Sequence, residues 1–128
     1  MSDKQITLSA GEWQIMEALW RHAPQTVMEL VHALAPETGW SKSTIVTMVG
    51  RLEAKGAIAY THGGKARLYT PAVSREQAAL RETESLLHRV YRGSVGMMVS
   101  TLADCRGLSQ SDIDELSAIL AKAKEEQK

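Results

Sequence analysis

Residues 40–70 contain the patterns that predict the fold, and they run WSKSTIVTMVGRLEAKGAIAYTHGGKARLYT. Apolar residues stand at positions 45, 48, 49 and 52, the spacing of an amphipathic helix that buries one face. Ser41 precedes this helix as a candidate N-cap, and Gly56 supplies the residue type that ends helices in a left-handed conformation. Residues 57–61 and 66–70 then flank a Gly-Gly turn, which predicts a β-hairpin.

Two shorter helices are predicted upstream of this stretch. Residues 9–12 and 26–29 both have the S/T-x-x-E spacing of a capping box, and apolar residues recur at helical intervals after each. Pro36 with Gly39 is predicted to close the second helix. Three helices followed by a hairpin are the order of a winged helix-turn-helix, whose third helix is the recognition helix.

The remainder of the chain has helical patterns only. Ser74 and Gln77 open a long helical stretch that weakens near Gly93, and a last helix begins after Ser109. These elements are too few for a second compact core, so we predict a mainly α protein with a winged-helix domain at 1–72 and a helical dimerisation domain at 73–128. The predicted dimerisation stripe consists of Leu86, Leu87, Val90, Met98, Leu102, Ile113, Leu116 and Leu120.

The charges are balanced overall but segregated along the chain. Fifteen Lys and Arg residues match fifteen Asp and Glu residues among 128. Residues 1–40 contain two basic and five acidic residues, whereas residues 41–70 contain five basic residues and Glu53 alone on the acidic side. The basic block therefore coincides with the predicted recognition helix and hairpin, which favours a nucleic-acid partner over an evenly solvated surface.

The outward face of the third helix is the candidate DNA-binding surface. Its short side chains would let the helix enter the major groove, where Val46 can meet a thymine methyl group and Arg51 can bond phosphate or guanine. Lys65 and Arg67 on the hairpin would contact the adjacent backbone. The helix residues of this face are Lys42, Ser43, Val46, Thr47, Gly50 and Arg51.

Other classes of function have little support in the sequence. The single Cys105 and four scattered histidines lack the spacing of a metal site, and no catalytic or nucleotide-binding motif is present. We therefore expect no cofactor and no small-molecule substrate, and we expect a cytoplasmic protein because no signal peptide or spanning segment is visible. The alternative to DNA binding is a protein-interaction adaptor built on a winged helix, and an enzyme ranks a distant third.

Three separated blocks resemble the penicillinase repressor family of the BlaI/MecI/CopY type: LSAGEWQIMEALW (8–20), WSKSTIVTMVGRLEAKG (40–56) and LSQSDIDEL (108–116). The resemblance implies a homodimeric bacterial repressor that binds a palindromic operator with TACA and TGTA half-sites and whose C-terminal helices interlock. Carried over by position, the operator contacts implied are Lys42, Ser43, Thr44, Thr47 and Arg51, with support from Lys65 and Arg67 on the hairpin.

The chain departs from the family pattern at several positions. Val46 and Gly50 stand where some members have longer polar residues. Copper-responsive members have paired cysteines, which Cys105 alone does not reproduce, so copper sensing is not expected. Members that control antibiotic resistance are inactivated by proteolysis at an Asn-Phe bond. The matching bond here is Thr101-Leu102, which makes it a candidate cleavage site and a membrane receptor protease a candidate partner.

Overall fold

A computed structural model describes residues 7–127 of the chain. The elements are α1 (Ala10–Arg21), α2 (Val27–Thr38), α3 (Lys42–Ala54), β1 (Ile58–Gly63), β2 (Ala66–Pro71), α4 (Arg75–Tyr91), α5 (Val95–Arg106) and α6 (Gln110–Glu126). They form two compact units, one ending at Ser85 and the other beginning at Leu86. Within residues 7–127, every helix is too short or too polar to cross a membrane.

The first two helices begin where their capping boxes predicted. The Ser9 hydroxyl accepts the Glu12 N–H at 3.1 Å, and the Glu12 carboxylate accepts the Ser9 N–H at 3.0 Å. Thr26 and Glu29 repeat this reciprocal pair at 3.1 and 2.8 Å. Each box satisfies two N–H groups that would otherwise lack a partner at the start of the helix.

The end of α2 confirms the predicted role of Gly39 but not that of Pro36. Pro36 lies inside α2 and does not end it. A proline removes one backbone hydrogen bond, and a helix can continue past that loss for the two remaining residues. The helix ends at Gly39, whose φ of 63° is left-handed and whose N–H donates to Ala35 O at 3.0 Å.

The core of the first unit lies between the three helices and the hairpin. Helix α3 contributes four buried residues, Ile45, Met48, Val49 and Leu52, as its apolar spacing predicted. The main residues that complete the core are Ile15, Met16, Leu19, Leu30, Leu34, Ala57, Ile58 and Tyr69. Because the inner face of α3 is committed to this core, the opposite face of the helix is left to solvent.

The hairpin is antiparallel and slightly longer than predicted. Gly63 pairs with Ala66, so Gly64 and Lys65 form a two-residue loop. Gly64 has a φ of 72°, the left-handed value that a type II′ turn requires at its first loop position. Tyr60 and Tyr69 face each other across the strands with ring centroids 5.8 Å apart.

A backbone bridge fixes the hairpin to the helices. The Gln25 N–H donates to Tyr69 O at 3.1 Å, and the Tyr69 N–H donates to Gln25 O at 2.9 Å. The Gln25 side chain is buried and donates to Ala18 O and His22 O at the end of α1. The second strand is therefore held in place relative to α1 and α2.

The first compact unit extends beyond the predicted boundary at residue 72. The Trp20 indole N–H donates to Val73 O at 3.0 Å, and Arg75 Nη2 lies 2.9 Å from Glu17 Oε2. Ala78 in α4 is buried as well. These contacts attach the first turns of α4 to α1, which explains why the unit continues to residue 85. The hydrogen bond from Arg75 lowers the pKa of Glu17.

The second unit contains helices without a buried face. No residue of α5 or α6 is buried, and within the described residues these two helices do not pack along their length. Leu102 is 47% exposed, Ile113 43% and Leu120 67%. Leu86 and Val90 are also exposed, whereas the remaining members of the predicted stripe are half-buried: Leu87, Met98 and Leu116.

Candidate nucleic-acid interface

The outward face of α3 carries the residues that the sequence singled out. Because the helix buries the opposite side, these residues are solvent-exposed: Lys42, Ser43, Val46, Thr47, Gly50 and Arg51. Thr44 differs, since it is half-buried. The only carboxylate on α3 belongs to Glu53 near its C-terminal end, so the centre of the face carries no negative charge.

Hydroxyl groups dominate the N-terminal half of this face. The Ser41 hydroxyl accepts the Thr44 N–H at 3.3 Å and lies 3.1 Å from the Ser43 hydroxyl and 3.2 Å from that of Thr44. The Thr47 hydroxyl donates to Ser43 O at 3.0 Å. Its oxygen retains lone pairs that can accept a hydrogen bond from a base amino group. The hydroxyls thus cap the helix and still offer polar atoms to a duplex.

The middle of the face is smooth and apolar. Val46 is 48% exposed, although it is an apolar residue in a helix with a well-formed core on the other side. A Cβ atom at Gly50 would meet no atom within 4 Å. Residues four apart are neighbours on a helix surface, so Val46 stands beside a position that has no side chain.

The hairpin carries two exposed cations, one of which, Arg67, lies beside α3. Lys65 lies at the exposed loop, and Arg67 follows on β2 opposite His62. The Arg67 guanidinium stacks over the Tyr60 ring at 4.2 Å and lies 3.9 Å from a Glu53 oxygen. The pair with Glu53 is long and partly exposed to solvent, and such pairs contribute little to stability, so the Arg67 guanidinium can bind a phosphate instead.

One exposed cation of the basic block bonds a buried residue of the fold, a contact that the sequence analysis did not predict. Lys55 Nζ bonds the buried carboxylate of Glu12 and donates to Thr7 O at 2.7 Å. Burial alone would raise the pKa of Glu12, but the hydrogen bonds from Lys55 and Ser9 and the charges of Lys55 and Arg51 outweigh it and lower that pKa. All five cations of the block are exposed, and the four that make no contact with this buried carboxylate are Lys42, Arg51, Lys65 and Arg67.

The N-terminal turn of α2 adjoins the same surface, which the sequence did not indicate. A cleft of about 420 Å³ separates this turn from the start of α3 and from β2. Its lining residues are Thr26, Val27, Met28, Lys42, Ala66, Arg67 and Tyr69. The capping box at Thr26 was visible in the sequence, but its position beside Lys42 and Arg67 follows from the packing of α2.

Residues 8–122 match the family described as Penicillinase repressor. The chain belongs to this family. Its members are transcriptional repressors and not enzymes. The penicillinase repressor of Bacillus licheniformis is 31% identical over 121 residues, which cover 94% of both chains. The resemblance identified from the three sequence blocks is thereby confirmed.

Solved structures support the winged-helix assignment of this family member. The solution structure of the DNA-binding domain of the repressor BlaI is 31% identical, with a TM-score of 0.53 over 58% of this chain and 90% of that one. The monomeric form of Bacillus licheniformis BlaI, solved in complex with the blaP half-operator, matches with the same identity and coverage and a TM-score of 0.51. The predicted fold class, a mainly α winged helix, is confirmed.

Proposed function

We propose that this chain represses transcription by inserting α3 into the major groove of an operator and placing its hairpin on the adjacent backbone. The observation that carries the proposal is the exposed face of α3, which is short-chained, rich in hydroxyls and free of carboxylates at its centre. The similarity to BlaI, whose structure was solved with a half-operator, supports it. Such a repressor acts in the cytoplasm, where the chromosome lies.

The proposed operator contacts divide into two groups. Base and backbone contacts on the helix come from Lys42, Ser43, Thr44, Val46, Thr47 and Arg51. Lys65 and Arg67 supply phosphate contacts from the hairpin. Phosphate contacts fix the register of a protein on the duplex, whereas contacts to base edges select the sequence.

We further propose that the chain acts as a homodimer on a palindromic operator. The exposed leucine, isoleucine and valine side chains of α4, α5 and α6 support this proposal, because a second copy offers the same apolar surface and a twofold axis buries both. Two heads related in this way would bind two half-sites of one operator. In this proposal the predicted boundary at residue 72 separates two functions, because DNA binding ends with the hairpin and dimerisation begins after it.

Relief of repression by proteolysis is the remaining part of the proposal. Thr101 and Leu102 are exposed in the middle of α5, and the Thr101 hydroxyl donates to Met97 O at 2.9 Å. A protease would have to open this helix locally before it could cleave the bond. A membrane receptor protease is the partner that such a mechanism would need.

The rival function, a protein-interaction adaptor, makes a different prediction about salt. A protein that neutralises phosphates displaces condensed counterions, so its affinity for duplexes falls steeply as salt rises. Selection from a random duplex library, followed by binding measurements between 50 and 200 mM salt, separates the two functions. Failure to enrich any duplex would favour the adaptor.

Arg51→Ala is expected to weaken operator binding by about ten-fold or more, because one good base or phosphate contact contributes about 1–3 kcal/mol. Arg51 is exposed, and surface truncations of this kind usually change stability little. Fluorescence anisotropy with the selected duplex measures the loss, and circular dichroism checks the fold. Wild-type affinity in a folded variant would contradict the assignment of α3 as the recognition helix.

Lys65→Ala is expected to lower the affinity for specific and random duplexes by a similar factor. The salt dependence of the affinity should fall by the equivalent of about one phosphate contact. The reason is that Lys65 lies on the exposed hairpin loop, where it can meet the backbone. Titrations of both duplexes at several salt concentrations test this. A loss confined to the selected duplex would make the hairpin a base-recognition element.

A further inference from the structure

The fold provides no reason for a glycine at position 50. Gly50 lies in the interior of α3, where glycine is among the poorest helix formers. Its φ is not in the left-handed region, and a Cβ atom there would meet nothing within 4 Å. Neither the backbone conformation nor the internal packing of the protein requires that position 50 lack a side chain. A surface that approaches α3 from outside would explain it.

The fold also provides no reason for a valine at position 46. The core face of α3 is completed by Ile45, Met48, Val49 and Leu52, and Val46 remains 48% exposed outside it. Val46 and Gly50 are neighbours on the helix surface, because they are four residues apart. We call this pair of positions the Val46–Gly50 notch. Ser43 and Thr47, also exposed, flank it.

Major-groove chemistry restricts what such a notch can recognise. Valine has no hydrogen-bonding atom, so it cannot distinguish the donors and acceptors of base edges. The apolar group that a base presents in the major groove is the 5-methyl group of thymine. A branched aliphatic side chain beside an open position is complementary to that methyl group in shape and in polarity.

We infer that the Val46–Gly50 notch selects thymine at one position in each operator half-site. Val46 packs against the 5-methyl group, and the absence of a side chain at Gly50 lets α3 come close enough for that contact. The inference rests on the proposed function, since it requires α3 in the major groove. It adds the base that is selected and the residues that select it.

The test uses the full-length protein and the duplex selected from a random library. Each thymine of that duplex is replaced singly by uracil, which removes the methyl group and keeps the hydrogen bonds. We expect one position per half-site at which uracil weakens wild-type binding about fourfold, the effect of burying one methyl group. At that position Val46→Ala is expected to bind the thymine and uracil duplexes with equal affinity.

Three outcomes would overturn the inference. The wild-type protein could be indifferent to uracil at every position, or Val46→Ala could retain the full thymine preference. The third outcome concerns Gly50→Ala. This variant is expected to have a higher melting temperature, because alanine favours helices, and a lower affinity for the selected duplex. An unchanged affinity in this variant would remove Gly50 from the contact. The proposed function itself fails differently, through the absence of any enriched duplex.

Discussion

Gly50→Glu is expected to reduce operator binding by a hundred-fold or more while the protein stays folded. The position is exposed, and a Cβ atom there meets no neighbouring side chain within 4 Å, so the substitution is expected to be tolerated by the fold. Glutamate is also the better helix former. In the complex its carboxylate would stand in the major groove between phosphates, and like-charge juxtapositions cost several kcal/mol. Anisotropy with the selected duplex and a thermal melt measure both effects.

Ala35→Glu is the matched control for this variant. It adds the same charge at an exposed position in the C-terminal half of α2, outside the proposed contact residues. We expect a small, salt-sensitive loss from the added negative charge. Equal losses in the two variants would show a general charge effect. Wild-type binding by Gly50→Glu would remove the face of α3 from the interface.

Leu120→Asp is expected to dissociate the proposed dimer and to lower the affinity for an operator with two half-sites by about a hundred-fold or more. Leu120 is 67% exposed in the single chain, so an aspartate there leaves the folded protomer undisturbed. In an apolar interface the same carboxylate would be buried without a partner, which costs several kcal/mol. Two linked heads bind one operator about 10²–10⁴-fold more tightly than one head, and the monomer loses that gain.

The choice of Leu120 depends on the structure. Leu116 belongs to the same predicted stripe, but it is half-buried and lines a cleft of about 190 Å³ together with Leu102 and Leu108. A charge at Leu116 would therefore disturb the protomer as well as the interface. The more exposed residue separates these two effects.

Ala118→Asp is the control for the dimer prediction, because this exposed residue lies on the opposite side of α6 from Leu120 and Ile113. It should sediment as wild type and bind the operator normally. Binding of a single half-site should survive in Leu120→Asp, since the head is unchanged. An unchanged dimer with full operator affinity in Leu120→Asp would exclude this part of α6 from the interface.

Much of the first unit could be predicted because the deciding signals are local. A capping box joins residues three apart, as in Ser9 and Glu12, and the apolar face of α3 repeats within four residues. The same periodicity identified the outward face as well, since burying one side of a helix exposes the other. The glycine at the hairpin loop similarly follows from local backbone geometry.

The order of the helices, the hairpin, the family and the composition of the exposed face of α3 could therefore be predicted from the sequence alone. Only the tertiary structure showed that Lys55 bonds Glu12, 43 residues away, and that Trp20 holds Val73, 53 residues away. The first contact engages one exposed cation of the basic block, and the second extends the first unit into α4. The α2 turn beside Lys42 and Arg67 is a third case. Periodicity and capping are set within one or two helical turns, whereas pairs distant in sequence meet only when the core packs.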